Sequence, residues 1–376
     1  MATTQDMTTN RVSIFLLMPL FCQTVLAEKP SIIHLTDPSG ELHLSTARIV
    51  TRGGVFVAGT ASKEDVEGTV AYRWSRDSGV TMVGDMPGGK IYAQPNDMTD
   101  DGRMVVGYSS SGRGTEAFGW TNKSGMISLG DFEGGDLSSK AMGVSSDGKT
   151  IVGSGVAEGR SSSRRHGDAF IWTVAKRLQP LSPIEPFEDT MWASDVSADG
   201  LIVVGKGSGK SGSEAFRWHD GKMQGLGCLL DGKTNFYSEA IACSSDGKIV
   251  VGNSGHGNRE REAFIWTEKD GMKSLGDLEG ELKSSVIGVS DGGRVLGISS
   301  NKGVPIAFLW EKETGKVPLE EKLKKLGYDP AANSWSQYQN LYGISPCGRY
   351  LVGSGMGKID GERVNGAILI DLGEEG

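Results

Sequence analysis

The chain has 376 residues with 56 glycines but no Gly-X-Y period, which excludes a collagen-like rod and points to many tight turns between short strands. Its formal net charge is −8, so the chain as a whole has no electrostatic reason to seek DNA, RNA or an anionic membrane surface. The length suits one large all-β domain or two ordinary ones.

Residues 1–27 read as a secretory signal peptide. Arg11 precedes the apolar run Val12 to Phe21, and Val25-Leu26-Ala27 places small or modest residues before Glu28. The run is too short to span a bilayer; a buried N-terminal strand or helix is the alternative. Phe21 is too large for a lipobox residue ahead of Cys22. The mature chain, residues 28–376, is therefore expected in the periplasm or outside the cell, as a single domain. Its cysteines are Cys228, Cys243 and Cys347, an odd number. A Cys228–Cys243 bridge and three small buried or turn residues both fit. No Cys/His spacing resembles a zinc site, so neither metal nor cofactor is expected.

From residue 40 onward the chain repeats. A turn element runs DDGRMVVG, SSDGKTIVG, SADGLIVVG, SSDGKIVVG, SDGGRVLG and SPCGRYLVG, after a decayed first copy, TRGGVFVAG. The seven closing glycines, Gly59, Gly107, Gly153, Gly205, Gly252, Gly297 and Gly353, are 45 to 56 residues apart. In step with them run AYRW, AFGW, AFIW, AFRW, AFIW and AFLW, ending on Trp74, Trp120, Trp172, Trp218, Trp266 and Trp310, and the last copy decays to AILI. A third element follows, as in GMISLGD. Each unit thus offers four short strands. In one unit strand a is Ala141 to Ser145, b is Thr150 to Ser154, c is Ala169 to Thr173 and d is Arg177 to Leu181. An Asp-Gly turn between apolar runs is a hairpin signal. Four-stranded units of this period predict an all-β fold, a seven-bladed β-propeller, rather than a solenoid or a helical array.

The ends of the chain support a closed ring. The last unit stops at Leu372 without a strand d. SIIHLTDPSGELHLS, from Ser31, aligns with MISLGDFEGGDLSS, from Met126, as an orphan strand d. Ile32 to Leu35 is therefore expected to complete the last unit, which pairs two edge strands that would otherwise be exposed.

On the residues DG…VVG…AFxW…LGDL, over roughly 40–370, the chain resembles the HAF-type repeats of secreted bacterial proteins. The resemblance implies an extracytoplasmic repeat protein, and it carries no catalytic residue with it.

A residue repeated in every unit solves a problem that every unit has. The Ala-Phe-x-Trp slot is read as packing between neighbouring units, each buried aromatic covering about 150–250 Å². The repeated Asp101, Asp147, Asp199, Asp246 and Asp291 are read as Asx-type turn residues, because one carboxylate per turn cannot supply the oxygens that calcium needs.

Variation sits in the d–a and b–c loops, where a rigid scaffold carries binding. The d–a loops look acidic (Asp131, Glu133, Asp136; Glu185, Glu188, Asp189; Asp277, Glu279, Glu281). The b–c loops look basic (Arg160, Arg164, Arg165, His166; Lys206, Lys210; Arg259, Arg261; Lys358, Arg363). Tyr92, Tyr237 and Tyr338 each lie ten residues before the turn glycine of their unit and Trp192 lies eight before, at one mouth of the central channel. Trp335, in the insertion Leu319 to Gln339, joins them as a candidate. Glu320 to Pro330 reads as a short amphipathic helix ending at Gly327. The aromatics fit stacking on a sugar or clasping a peptide; packing on one another is the alternative. No H-E-x-x-H motif occurs. The leading expectation is a non-enzymatic module binding a glycan or protein. The alternatives are an extracellular polysaccharide hydrolase or lyase, for which no carboxylate pair stands out, and a structural surface protein.

Overall fold

The Asp-Gly turns form because a short acceptor is placed where the chain reverses. In the turn after Val144, Ser145 Oγ donates to Asp147 Oδ1 at 2.8 Å and Lys149 N donates to the same oxygen at 3.0 Å. Gly148 follows at φ 70°, which a side chain rarely adopts. Thr99–Asp101, Ser197–Asp199 and Ser244–Asp246 repeat the hydroxyl–carboxylate pair. Asp291 does not. It stands one position earlier in its turn, where its carboxylate accepts from Ser245 N at 2.8 Å and from Arg52 Nη2 at 2.6 Å. In Ser290-Asp291-Gly292-Gly293 a glycine holds the usual aspartate position and the aspartate holds the one before it, where Ser146 stands in the earlier turn.

The computed structural model describes residues 29–63, 66–134, 137–157, 167–181, 190–209, 212–229, 236–256, 259–281, 283–301, 303–329, 335–359 and 362–373. The leader, Asp136, Arg160 to His166, Glu185 to Asp189 and Lys210 lie outside these residues. The example unit consists of strands Lys140–Val144, Thr150–Gly155, Asp168–Thr173 and Arg177–Pro180, paired antiparallel in that order. The described strands form three four-stranded sheets and two eight-stranded ones. Each eight-stranded sheet is two four-stranded units stitched by a short parallel bridge, Thr69 to Tyr92 in one and Gly212–Ser213 to Phe236–Tyr237 in the other. In the last unit, strand Ser31–His34 pairs antiparallel with Glu362–Asp371, from Ser31↔Asp371 to His34↔Ile368. The N-terminal strand thus supplies the outer strand that the C-terminus lacks.

The innermost strands are Leu42–Val50, Gly88–Met98, Lys140–Val144, Thr190–Val196, Phe236–Cys243, Lys283–Val289 and Trp335–Ile344. Each touches the next, and the last touches the first. The apolar core follows the same cycle. One cluster joins Ala117 and Leu129 to Phe170 and Trp172 of the following unit; another joins Val352, Ala367 and Leu369 to Leu44, Val57 and Tyr72. Small alanines on one sheet receive large rings from the next. Phe118, Phe170, Phe216, Phe264 and Phe308 are completely buried, while Trp74, Trp218 and Trp310 are only partly so. The slot packs between units as expected, with phenylalanine, not tryptophan, as its deepest member. The arrangement is all-β and propeller-like.

The one helix among the described residues, Leu319–Lys325, is shorter than expected. It ends where Leu326 N and Gly327 N donate to Lys322 O and Lys324 O, with Gly327 at φ 93°. Leu319 and Leu323 are fully buried in the core between the sixth and seventh units, so this insertion is part of the packing. No helix among the described residues is long and apolar enough to cross a membrane. None of Cys228, Cys243 and Cys347 is in a disulfide, so the Cys228–Cys243 bridge is absent.

Candidate functional site

Each innermost strand carries a register shift that leaves one residue out of the ladder. These residues are Arg48, Asn96, Met142, Ser194, Ile241, Ile287 and Tyr342. A bulge re-aims its side chain, and all seven line one central cavity of about 240 Å³. The lining is two-sided in chemistry. Arg48, Asn96 and Ser194 give it polar atoms; Met142, Ile241 and Ile287 give it apolar ones. The Arg48 guanidinium lies over the Tyr342 ring, 4.8 Å from its centre. Asn96 Nδ2 donates to Ala141 O at 2.8 Å.

Two buried carboxylates follow the bulges. Asp97 accepts from Met98 N and Val144 N, both at 2.8 Å. Asp195 accepts from Val196 N at 2.7 Å and Cys243 N at 2.8 Å. In each, one oxygen holds its own strand and the other holds the next unit. Burial pushes Asp97 up to about 8, with repulsion from Asp195 adding to it, and pushes Asp195 up to about 6. Burial, and then the charge of Asp195, also raise the Cys243 thiol, so it is no ready nucleophile. Among the described residues no group of three or more His, Cys, Asp or Glu converges as a metal site requires.

The a–b turns bridge one end of the channel. Ser146 N donates to Ala198 O, Ala198 N to Ser245 O and Asp291 N to Pro346 O, at 2.8 to 2.9 Å. Arg52 reaches over from the first unit to Ser245 and Asp291 of the fifth and sixth. Cys347 Sγ donates to Arg52 O at 2.8 Å.

The opposite mouth holds three of the aromatics singled out by sequence, Tyr92, Trp192 and Tyr237. Tyr92 is 39% exposed, and its hydroxyl meets Gln94 Oε1 at 3.2 Å and the Tyr108 hydroxyl at 3.3 Å. Lys140 Nζ lies 4.7 Å over the Tyr108 ring. Trp192 and Tyr237 come together through one cation, since Lys206 Nζ lies 4.6 Å from the Trp192 ring centre and 5.6 Å from that of Tyr237. Arg261 covers Tyr237 as well, at 5.6 Å. Glu239 sits 3.7 Å from both Lys206 and Arg261 and accepts from Asn253 Nδ2 at 3.1 Å. Burial, then the hydrogen bond to Glu239, push the Tyr237 hydroxyl up. Trp335 and Tyr338 pair through their backbones with Gly357 and Gly355; their side chains lie outside the described residues.

Of the described side chains, Tyr92, Trp192 and Tyr237 do not line the cavity, although their strands do. The sequence reading missed the lining residues Arg48 and Tyr342. A signal existed: every bulge residue lies six positions before its turn glycine, from Arg48 and Gly54 to Tyr342 and Gly348. The expected acidic rim is also incomplete. Glu281 is buried against Lys316, at 2.8 Å, and Asp131 is folded onto Phe132 N and Ser138 N.

No protein-family model and no curated protein matches the chain. Solved structures do. An oligogalacturonate lyase from Vibrio parahaemolyticus is 9% identical with a TM-score of 0.57, over 92% of this chain and 97% of that one. A prolyl endopeptidase is 12% identical with a TM-score of 0.57, over 88% of this chain; the chain spans only 50% of that enzyme. The β-propeller domain of the Trilobed protease from Pyrococcus furiosus is 12% identical with a TM-score of 0.50, over 86% and 97%. At such identity the likeness is one of fold.

Proposed function

We propose that this protein is an exported, seven-bladed β-propeller of the HAF-repeat type that binds a glycan at the mouth formed by its d–a and b–c loops. The blade count rests on the unbroken cycle of strand contacts and cores around the channel. Export rests on the leader at 1–27.

One observation carries the binding reading: aromatic rings with cations seated on them surround a cavity whose far end is bridged by Arg52 and Asp291. Sugar rings present apolar faces to aromatic groups and hydroxyls to charged ones, so such a rim suits them. A hydrolase or lyase acting on polysaccharide would need a carboxylate free to exchange protons with substrate. Asp97 and Asp195, the buried carboxylates of the channel, spend both oxygens on backbone N–H groups, which favours binding over cleavage.

A glycan array probed with the protein and with Trp192→Ala and Tyr92→Ala tests the reading. Saccharide binding that is lost in the folded variants is the expected result. Binding that survives both substitutions, or binding to no saccharide, sinks it.

A further inference from the structure

The cations of the mouth are poorly neutralised. Arg48 lies over Tyr342 and Lys140 over Tyr108, and among the described residues neither has a carboxylate within ion-pair distance. Lys206 and Arg261 share a single carboxylate, Glu239, at 3.7 Å from each, longer than a good charged hydrogen bond. Glu239 is itself held by Asn253 Nδ2 and by the Tyr237 hydroxyl. Among the described residues these four cations therefore have one carboxylate, Glu239, within ion-pair distance. The cavity that Arg48 lines also holds Asp97, Asp100, Asp195 and Asp291; Asp97 and Asp195 are bound to backbone N–H groups, and Asp291 is paired with Arg52.

The aromatic rings matter here in a second way. A ring face attracts a cation without cancelling its charge. It fixes a long, floppy side chain, so less freedom is lost when an anion arrives, and it leaves the N–H donors pointing outward. A concave, low-dielectric rim of one sign focuses field on ligands of the other.

We infer that the glycan bound at this mouth is a carboxylate-bearing one, a uronic-acid oligosaccharide, with Arg48, Lys140, Lys206 and Arg261 as its counter-charges. The inference rests on the binding site proposed above and adds the ligand's charge. Arg48, inside the cavity, would take the carboxylate of a chain end, and the outer cations would take carboxylates of following residues. A neutral glycan would leave Arg48 and Lys140 with no anionic partner among the described residues, and Lys206 and Arg261 sharing Glu239.

The test is calorimetric titration of the purified protein with fragments of polygalacturonate, alginate and hyaluronate. Each is compared with the same fragments after reduction of their carboxylates to alcohols. At least one charged fragment should bind, the reduced form at least tenfold more weakly, and affinity should fall as salt rises past about 0.1 M, where the screening length is about 10 Å. Lys206→Gln and Arg48→Gln should each weaken binding about tenfold, the usual range for a hydrogen bond to a charged group. Lys269→Gln, on an exposed outer turn, should not change it. Circular dichroism verifies that the variants are folded. If charged and reduced fragments bind equally, the site stands and the charge inference falls. If only neutral saccharides bind, the same conclusion follows. If no saccharide of either kind binds, both fall. Binding of single-stranded DNA with the same salt dependence and the same loss in the variants would overturn the assignment to a glycan.

Discussion

Gly153→Ala isolates why a glycine closes every turn element. Gly153 does not have a positive φ, so an alanine there suffers no backbone strain. The cost is space. A Cβ would lie 2.8 Å from Phe170 Cζ and 3.0 Å from Ala141 Cα, and closer still to the Lys140 carbonyl oxygen. Phe170 is completely buried in the core between two units, and the Lys140 carbonyl belongs to a paired strand, so neither can retreat freely. Overpacking of this kind costs about 1–3 kcal/mol, and a backbone obstacle places this case at the upper end, about 3 kcal/mol. The control is Gly53→Ala. Gly53 is exposed, also lacks a positive φ, and a Cβ there meets only Val55 Cγ2 at 3.6 Å. That alanine should stabilise by about 0.4–1 kcal/mol by restricting the unfolded chain. Urea unfolding followed by tryptophan fluorescence reads both. Equal midpoints for Gly153→Ala and the parent protein would refute the close-approach argument.

Other outcomes follow from the same packing. Phe216→Ala should cost about 3–5 kcal/mol and Trp218→Ala clearly less, because only the phenylalanine is fully buried; paired urea melts rank them. Gly53→Asp should restore the hydroxyl–carboxylate pair that Thr51 lacks, and gain about 0.5–1 kcal/mol in the same melts. Asp97 has its folded pKa raised to about 8, above an unfolded value of about 3.9. Its folded form holds a proton that the unfolded chain releases, so its stabilisation is full below about pH 4 and is lost as pH rises toward 8. Asp97→Asn should flatten that slope, and urea midpoints at several pH values that stay parallel for both proteins would count against it. Arg52→Ala removes a half-exposed ion pair and should cost less than about 1 kcal/mol globally. It should still speed hydrogen exchange at the turn amides of Ser245 and Asp291.

The architecture was legible because it rests on local chemistry repeated many times. Each Asp-Gly turn announces a hairpin, each Ala-Phe-x-Trp a buried strand, and the surplus strand at Ser31–His34 finds its missing partner by counting. The site was legible only in part. Tyr92, Trp192 and Tyr237 were found because aromatic residues at a loop entrance stand out. Lys206 and Arg261 were legible only as loop charge, and Lys140 not at all, since these side chains meet the rings only after folding. Asp291 was misplaced because it stands one position early, with Gly292 in the usual aspartate place, and its carboxylate therefore bonds the neighbouring turn. Glu281 looked like rim charge because sequence cannot see Lys316 arriving from another strand.

The seven bulges have a consequence for how such a protein can diversify. A ladder residue is constrained by its partners on both sides, but a bulged residue is excused from pairing. Positions 48, 96, 142, 194, 241, 287 and 342 can therefore change identity while the sheets around them stay the same. They act as seven interchangeable letters around a fixed frame. Arginine, asparagine, methionine, serine, isoleucine and tyrosine already occupy them here. A small set of substitutions at these places retunes what the channel accepts without a new loop; only Ile287 among them also packs against a core cluster.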